Sequence, residues 1–319
     1  MNDEPEIFYT LPLPFGAALP LWRRCFGTGP GPRVAVTAGI HGDELEGVYL
    51  CHRLAAWLEA LEQRAPEALR GRIELYPALN PTALDGLRRT IPGCETDLNR
   101  SFPGHPQGLP AQRLAHAVLQ ALDGCDLVVD VHASNRYLQE LPQVRIEQRW
   151  AETLLPLARV LGLPLIWVHG AVNILESSLA SNLNRRATPC LLLELGNGDS
   201  HTPAYAESLC AGLLRLWRHL GVLDDESEQA GPASLLAGDD DIQVVHSDSA
   251  GGLFLPTVQV GERVFAGQSL GRIVSPLRAR PLAETVAPSD GLLFTLRRAH
   301  PVPQGTLLAR IVTDTEVRP

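Results

Sequence analysis

The 319-residue chain contains no lysine; all 27 of its basic residues are arginine. Lysine chemistry is therefore excluded: no Schiff base, no lysine nucleophile, no lysine to carry biotin or lipoate. Arginine still offers a planar fork that can grip a carboxylate with two hydrogen bonds. None of the six cysteines (Cys25, Cys51, Cys94, Cys125, Cys190, Cys210) forms a C-x-x-C pair. Scattered in this way they read as small buried apolar residues of a reducing compartment. The N-terminus, Met1-Asn2-Asp3-Glu4-Pro5-Glu6, lacks the basic and apolar segments of a secretory signal. No apolar run approaches the ~20 residues of a membrane span. A cytoplasmic protein is expected. Positive charge is in deficit, with a formal net charge of −9. That argues against a nucleic-acid binder or a partner of anionic membranes, and leaves room for a small anionic substrate held by a few arginines.

What is present is an ordinary globular mixture, 45% hydrophobic and 20% charged, in a chain long enough for one large domain or two of usual size. A Pro/Gly-punctuated stretch between Leu11 and Arg33 suggests an N-terminal hairpin. Val34 to Thr37 reads as a buried strand. Leu45, Val48, Tyr49, Leu54, Leu58 and Leu61 then recur at near-helical spacing, predicting an amphipathic helix that opens at Glu44. Further strands are predicted over 72–79, 127–131, 163–168 and 190–195, and helices over 112–122, 151–161 and 203–220. This alternation predicts an α/β sheet covered by helices. Asp224 to Asp241 is acidic and aperiodic, so the reading divides the chain into residues 1–223, an acidic linker 224–241 and a β-rich tail 242–319.

Chemistry concentrates where strands end. Val34 to Glu44 reads strand, glycine-flanked turn, helix start, with His41 and Glu44 in H-x-x-E spacing. Alone, this also fits a helix N-terminus with an acidic first turn. Two later segments change the balance. Asp126-Leu127-Val128-Val129-Asp130-Val131-His132 delivers a second histidine, and Leu191-Leu192-Leu193-Glu194 ends a buried strand on a carboxylate. Zinc takes mixed nitrogen and oxygen ligands, and a catalytic zinc needs three of them with one position open. Glu194, costly to bury unpaired, needs either an arginine partner or a role in a cleft.

With Asp97-Leu98-Asn99-Arg100 added, these motifs in this order over residues 30–220 resemble the succinylglutamate desuccinylase/aspartoacylase family, a branch of the zinc carboxypeptidase clan. The resemblance implies a zinc-carboxypeptidase-like mixed sheet flanked by helices. It also implies zinc-dependent hydrolysis of a small N-acyl amino acid to a carboxylic acid and a free amine, with one Zn²⁺ per chain. It makes His41, Glu44 and His132 the metal ligands and Glu194 the general base. Asn99 and Arg100 match the pair that holds a substrate carboxylate, and Asp97 a carboxylate that orients a histidine ligand. Either Arg88 or Arg89 matches the arginine that polarises the scissile carbonyl; Arg89 is the choice made here. Asp130 shares a strand face with His132, which suits an orienting carboxylate or a structural ion pair.

The tail repeats itself: Gly252-Leu253-Phe254 and Gly267 through Val274 match Gly291-Leu292-Leu293 and Gly305 through Val312. It resembles biotinyl/lipoyl domains and the family's own β-domain, so a C-terminal all-β barrel sandwich is expected, without an attachment lysine. Ester hydrolysis is open to the same core. Two rivals stand beside the deacylase reading: a zinc carboxypeptidase acting on peptides, and a non-catalytic small-molecule binder. Homo-oligomerisation is left open by the sequence.

Overall fold

The computed structural model describes residues 4–225 and 231–313. The chain opens with an antiparallel hairpin, β1 (Glu6–Pro12) and β2 (Ala18–Phe26), then β3 (Arg33–Thr37), α1 (Glu46–Arg64), β4 (Arg72–Tyr76), α2 (Pro81–Asp85) and α3 (Pro110–Leu122). There follow β5 (Leu127–Ala133), β6 (Leu138–Glu147), α4 (Ala151–Leu161), β7 (Leu165–His169), α5 (Leu179–Arg185), β8 (Cys190–Gly196) and α6 (Pro203–His219). The tail comprises β9 (Leu235–Gly238), β10 (Ile242–His246), β11 (Gly252–Pro256), β12 (Arg263–Val264), β13 (Ser269–Ser275), β14 (Arg280–Val286), β15 (Gly291–Arg297), β16 (Pro301–Val302) and β17 (Leu307–Thr313).

The large sheet is mixed, in the order β1-β2-β4-β3-β5-β8-β6-β15-β17-β10. Its centre, β4-β3-β5-β8, is parallel. Of these, β3, β5 and β8 are mostly apolar, because helices bury both of their faces. On one side Leu50, Leu54 and Leu58 of α1 and Leu213, Leu216 and Trp217 of α6 pack on Val36, Val129 and Leu193. On the other, Leu114, Val118 and Leu122 of α3 and Leu183 of α5 pack on Ala35, Val128 and Cys190. The result is the expected α/β layering. Among the described residues no helix is long and apolar enough to cross a membrane.

Strand β6 was not predicted. Its sequence, Leu138 to Glu147, carries Glu140, Pro142 and Arg145 and shows no clean alternation, so no strand period is visible. It pairs antiparallel with β8 and parallel with β7. Within the span read as an acidic linker, residues 226–230 lie outside the described ones, while Leu235–Gly238 form β9, paired in parallel with β7.

The two repeated halves of the tail exchange strands. In the first half β11 pairs with β13, and in the second β15 pairs with β17. The short strand of each half crosses over: β12 pairs with β15, and β16 with β11. Phe254, Leu270, Ile273, Leu293, Leu308 and Ile311 fill the space between. A second, antiparallel sheet, β14-β13-β11-β16, results. The other half joins the large sheet directly, with Thr295 of β15 opposite Glu140 of β6. The tail is therefore docked edge to edge beside the ends of the parallel strands.

Candidate active site

In open α/β sheets, ligand sites form at the carboxyl ends of the strands. Here β3, β5 and β8 each bring one segment to that edge. After β3 the chain turns through Gly39 to Gly42. Gly42 is required by contact: a Cβ there would lie 1.9 Å from the carbonyl carbon of Ala83 in α2. The helix begins at Glu46, two residues later than the start predicted at Glu44, so Glu44 sits in the turn itself. The turn sets His41 Nδ1 2.6 Å from Glu44 Oε1. The other carboxylate oxygen of Glu44 accepts a hydrogen bond from the Ala133 amide at 3.1 Å and lies 2.9 Å from His132 Nδ1.

Strand alternation on β5 puts Asp130 and His132 on one face. Asp130 Oδ2 is 3.1 Å from His132 Nε2, and its Oδ1 accepts from Thr37 Oγ1 at 2.7 Å. His41 has an equivalent partner. Its Nε2 lies 3.1 Å from Asp97 Oδ1, which also caps the short turn Leu98–Arg100 by accepting from the Asn99 amide. His41, Glu44 and His132 are all buried, and their potential ligand atoms lie within 4.8 Å of one another.

Of the two candidate arginines, Arg89 faces the site. Its Nε donates to Asp97 Oδ2 at 3.1 Å, and its NH1 is 3.5 Å from Glu44 Oε1. Arg88 lies exposed beside Glu95. Asn99 is buried, and its Oδ1 accepts from the amide of Leu179 at the start of α5. With that oxygen engaged, the NH₂ end of the amide is the one available to a ligand. Arg100 donates from NH1 to the Asn99 carbonyl and lines the same cleft.

His41, Glu44, Arg89, Asn99, Arg100, His132 and Glu194 line one cleft of about 220 Å³, while Asp97 and Asp130 stand behind the histidines. The cleft also contains residues the sequence reading missed: Ser134, Asn135, Glu140, Arg145, Ser178 and, from β17 of the tail, Arg310. Glu194 faces the cleft and also has Arg145 NH1 at 3.6 Å. Nothing local in the sequence marks Glu140, Arg145 or Arg310. Arg185 and Arg186, just before β8, pair with Glu176 and Asp123 and do not line the cleft.

Burial opposes charge on both histidines, yet Glu44 and Asp97 raise His41 above its usual range, and Asp130 and Glu44 raise His132 well above it. Burial likewise opposes ionisation of Glu44, but the two imidazoles hold it well below the carboxylate range. The Nδ1 of each ring faces Glu44, where a divalent cation would be held between the two imidazoles and the carboxylate, while Asp97 and Asp130 at the Nε2 atoms hold the ring orientations. That is the usual environment of metal-binding histidines, and the residues fit a metal ion. Glu194 behaves in the opposite way: burial raises it to about 7, with Arg145 pulling it back and Glu140 pushing it up.

Fold and site define a class: a carboxypeptidase-like α/β protein with a His-Glu-His group that can hold a metal ion at the strand ends. A metallo-carboxypeptidase of Burkholderia cenocepacia shares the fold, with a TM-score of 0.50 at 16% identity, covering 67% of this chain and 63% of that one. More specifically, the model of the succinylglutamate desuccinylase/aspartoacylase catalytic domain matches residues 30–220, and the chain belongs to that family. A succinylglutamate desuccinylase/aspartoacylase of Rhodobacter sphaeroides superposes with a TM-score of 0.80 at 26% identity, over 98% of this chain and 95% of that one. An N-alpha-acetyl-L-2,4-diaminobutyric acid deacetylase of Halomonas elongata is 28% identical over 294 residues, 90% of this chain and 84% of its own length.

Proposed function

We propose that the protein is a zinc-dependent amidohydrolase that removes the acyl group from a small N-acyl amino acid. The observation that carries this reading is the convergence of the buried His41-Glu44-His132 group, the Glu194 carboxylate, Asn99 and Arg100 on one small cleft. Two imidazoles and one carboxylate with room for a further ligand are the donor set of a catalytic zinc. When bound, zinc would polarise the carbonyl and make a water acidic enough to attack at neutral pH. Glu194 accepts the proton of the attacking water and returns it to the leaving amine, a task suited to a base with a pKa near the working pH. Arg89, fixed by Asp97, presents its guanidinium beside Glu44 and stabilises negative charge developing on the carbonyl oxygen. Asn99 and Arg100 hold the α-carboxylate, so the amide is delivered in one orientation.

The small cleft, with a tail arginine in its wall, favours single N-acyl amino acids over peptides. The tail is read as a barrel-sandwich domain following a catalytic part of residues 1–223. Its strand exchange and internal repeat support that reading. Six free cysteines suit a reducing compartment such as the cytoplasm.

The test is a hydrolysis screen of the zinc-loaded protein against acetyl-, succinyl- and formyl-amino acids. N-acetyl-2,4-diaminobutyrate is the first to try, given the activity named for the Halomonas relative. Elemental analysis should find one zinc per chain, lost in His41→Ala and His132→Ala. Glu194→Gln should keep metal and fold and lose at least ~100-fold in kcat. Full zinc in both histidine variants would refute the ligand assignment, and a Glu194→Gln enzyme of near wild-type kcat would refute the base.

A further inference from the structure

Glu140, Arg145 and Arg310 take no part in the hydrolysis outlined above, yet they form a partly buried ion-pair cluster beside Glu194. Glu140 is 2% exposed. Its two oxygens accept from Arg145 NH2 at 2.9 and 3.1 Å, Arg310 NH1 at 3.0 Å, Thr295 Oγ1 at 3.2 Å and Gln143 Nε2 at 3.4 Å. Two of these donors belong to the tail: Thr295 on β15 and Arg310 on β17. The Arg145 guanidinium lies between this group and the candidate base. Its NH2 is committed to Glu140, its NH1 is 3.6 Å from Glu194 Oε1, and its Cζ lies 5.2 Å from the centre of the Trp167 ring.

The backbone is bent to make this arrangement. Glu140 and Arg145 are five residues apart on β6, an odd separation that regular alternation would send to opposite faces. Opposite β8, however, Glu140 pairs with Gly196 and Gln143 with Glu194, so β6 holds one residue more than its partner over that interval. This β-bulge contains Pro142, which has no N–H to give to the ladder. It returns Glu140 and Arg145 to the same side, next to Glu194. Bulges of this kind re-aim side chains near active sites.

We infer that Arg145 is a positioning residue that fixes the carboxylate of Glu194, and that the tail, through Arg310 and Thr295 on Glu140, holds Arg145 in place. The inference rests on the reading of Glu194 as the base. Arg145 NH2 is engaged by Glu140 and its NH1 faces Glu194, so the guanidinium is oriented toward these two carboxylates. Arg310 shares an oxygen of Glu140 with Arg145, so loss of Arg310 releases one of the two cations that lock that carboxylate. The tail then acts on turnover itself, beyond forming a wall of the cleft.

The experiment uses the full-length, zinc-loaded protein and the best substrate of the screen above. Arg145→Ala should lower kcat about 100-fold, the scale of a small misplacement of a reacting group, with KM within about threefold of wild type. Millimolar guanidinium chloride, filling the space vacated, should recover at least about tenfold of that loss. Arg310→Met should lower kcat about tenfold at unchanged KM, and Arg310→Lys, which restores a cation to Glu140, should recover most of it. The proposal is overturned if Arg145→Ala keeps wild-type kcat while Glu194→Gln is inactive, or if either arginine variant changes KM alone. Should Arg145→Ala fail to fold, the Arg310 pair decides: equal kcat for Met, Lys and wild type overturns the proposal. An active Glu194→Gln enzyme would instead remove the base assignment, a failure recognisable as distinct.

Discussion

If the proposed zinc site is right, Asp130→Asn should weaken zinc binding more than Asp97→Asn, although each aspartate contacts the outer nitrogen of one histidine of the His41-Glu44-His132 group at 3.1 Å. The difference lies in what else each carboxylate does. Asp130 is 1% exposed, and its other oxygen holds only the Thr37 hydroxyl. Its Oδ2 is therefore left to the His132 ring alone. Asp97 is more exposed and already shared with Arg89 and the Asn99 amide. Burial works against its ionisation, but His41, Arg89 and Arg100 hold it well below the carboxylate range. Loss of a carboxylate behind a metal-binding histidine costs typically 10–100-fold in affinity, or about 1.4–2.7 kcal/mol. Asp130→Asn is expected at the upper end and Asp97→Asn at the lower. Asparagine keeps the size of the side chain and can still accept from Thr37, so the fold should survive; circular dichroism and thermal melts of the metal-free variants check that. Affinity is read by titration against a chromophoric zinc chelator at neutral pH. A zinc affinity for Asp130→Asn within about twofold of wild type, or a reversed order of the two variants, would refute the argument that these carboxylates orient the ligands.

Arg100→Lys keeps a charge but loses the planar fork, so kcat/KM should fall by about one to three orders of magnitude, roughly 1.5–4 kcal/mol. Amidating the substrate carboxylate should cost wild type a similar factor and the variant much less; equal losses would show that Arg100 does not read that carboxylate. The base must be ionised to accept a proton, and burial raises Glu194 to about 7. A pH profile of kcat/KM should therefore rise with pH along an acidic limb, its midpoint drawn below that value by a bound dication, and a profile without such a limb would count against Glu194. Away from the site, Glu74 is 1% exposed and bonded to Arg23, Arg33, Arg72 and Tyr76. Burial opposes its ionisation, but Arg33, Tyr76 and Arg23 depress its pKa. The depressed value gives stability that is present above the ordinary glutamate pKa and lost as pH falls through the folded one. Glu74→Gln should thus cost about 1–3 kcal/mol at neutral pH, discounted for the partly exposed arginines. Urea melts should show the gap closing in acid, and a gap that persists there would rule out an ionic origin.

The sequence by itself carried the chemistry that depends on short-range pattern. His41 and Glu44 are legible because strand, glycine turn and helix start follow one another within a dozen residues. Asp130 and His132 share a face because side chains alternate along any strand. Asp97 to Arg100 is a contiguous motif, and the apolar run before Glu194 marks a buried strand end. Arg89 was preferred to Arg88 on the sequence, but only the path of the loop that carries them brings it to the cleft. β6 left no readable period, since a bulge with Pro142 breaks the alternation by which a strand is recognised. Glu140, Arg145 and Arg310 meet only because the tail adds β15 to the edge of β6, and the contact between Arg310 and Glu140 spans 170 residues of chain. Spacing along a chain fixes which face a side chain takes; which strand lies next to it is decided by how whole sheets pair and bury their faces, and that is set only in the folded molecule.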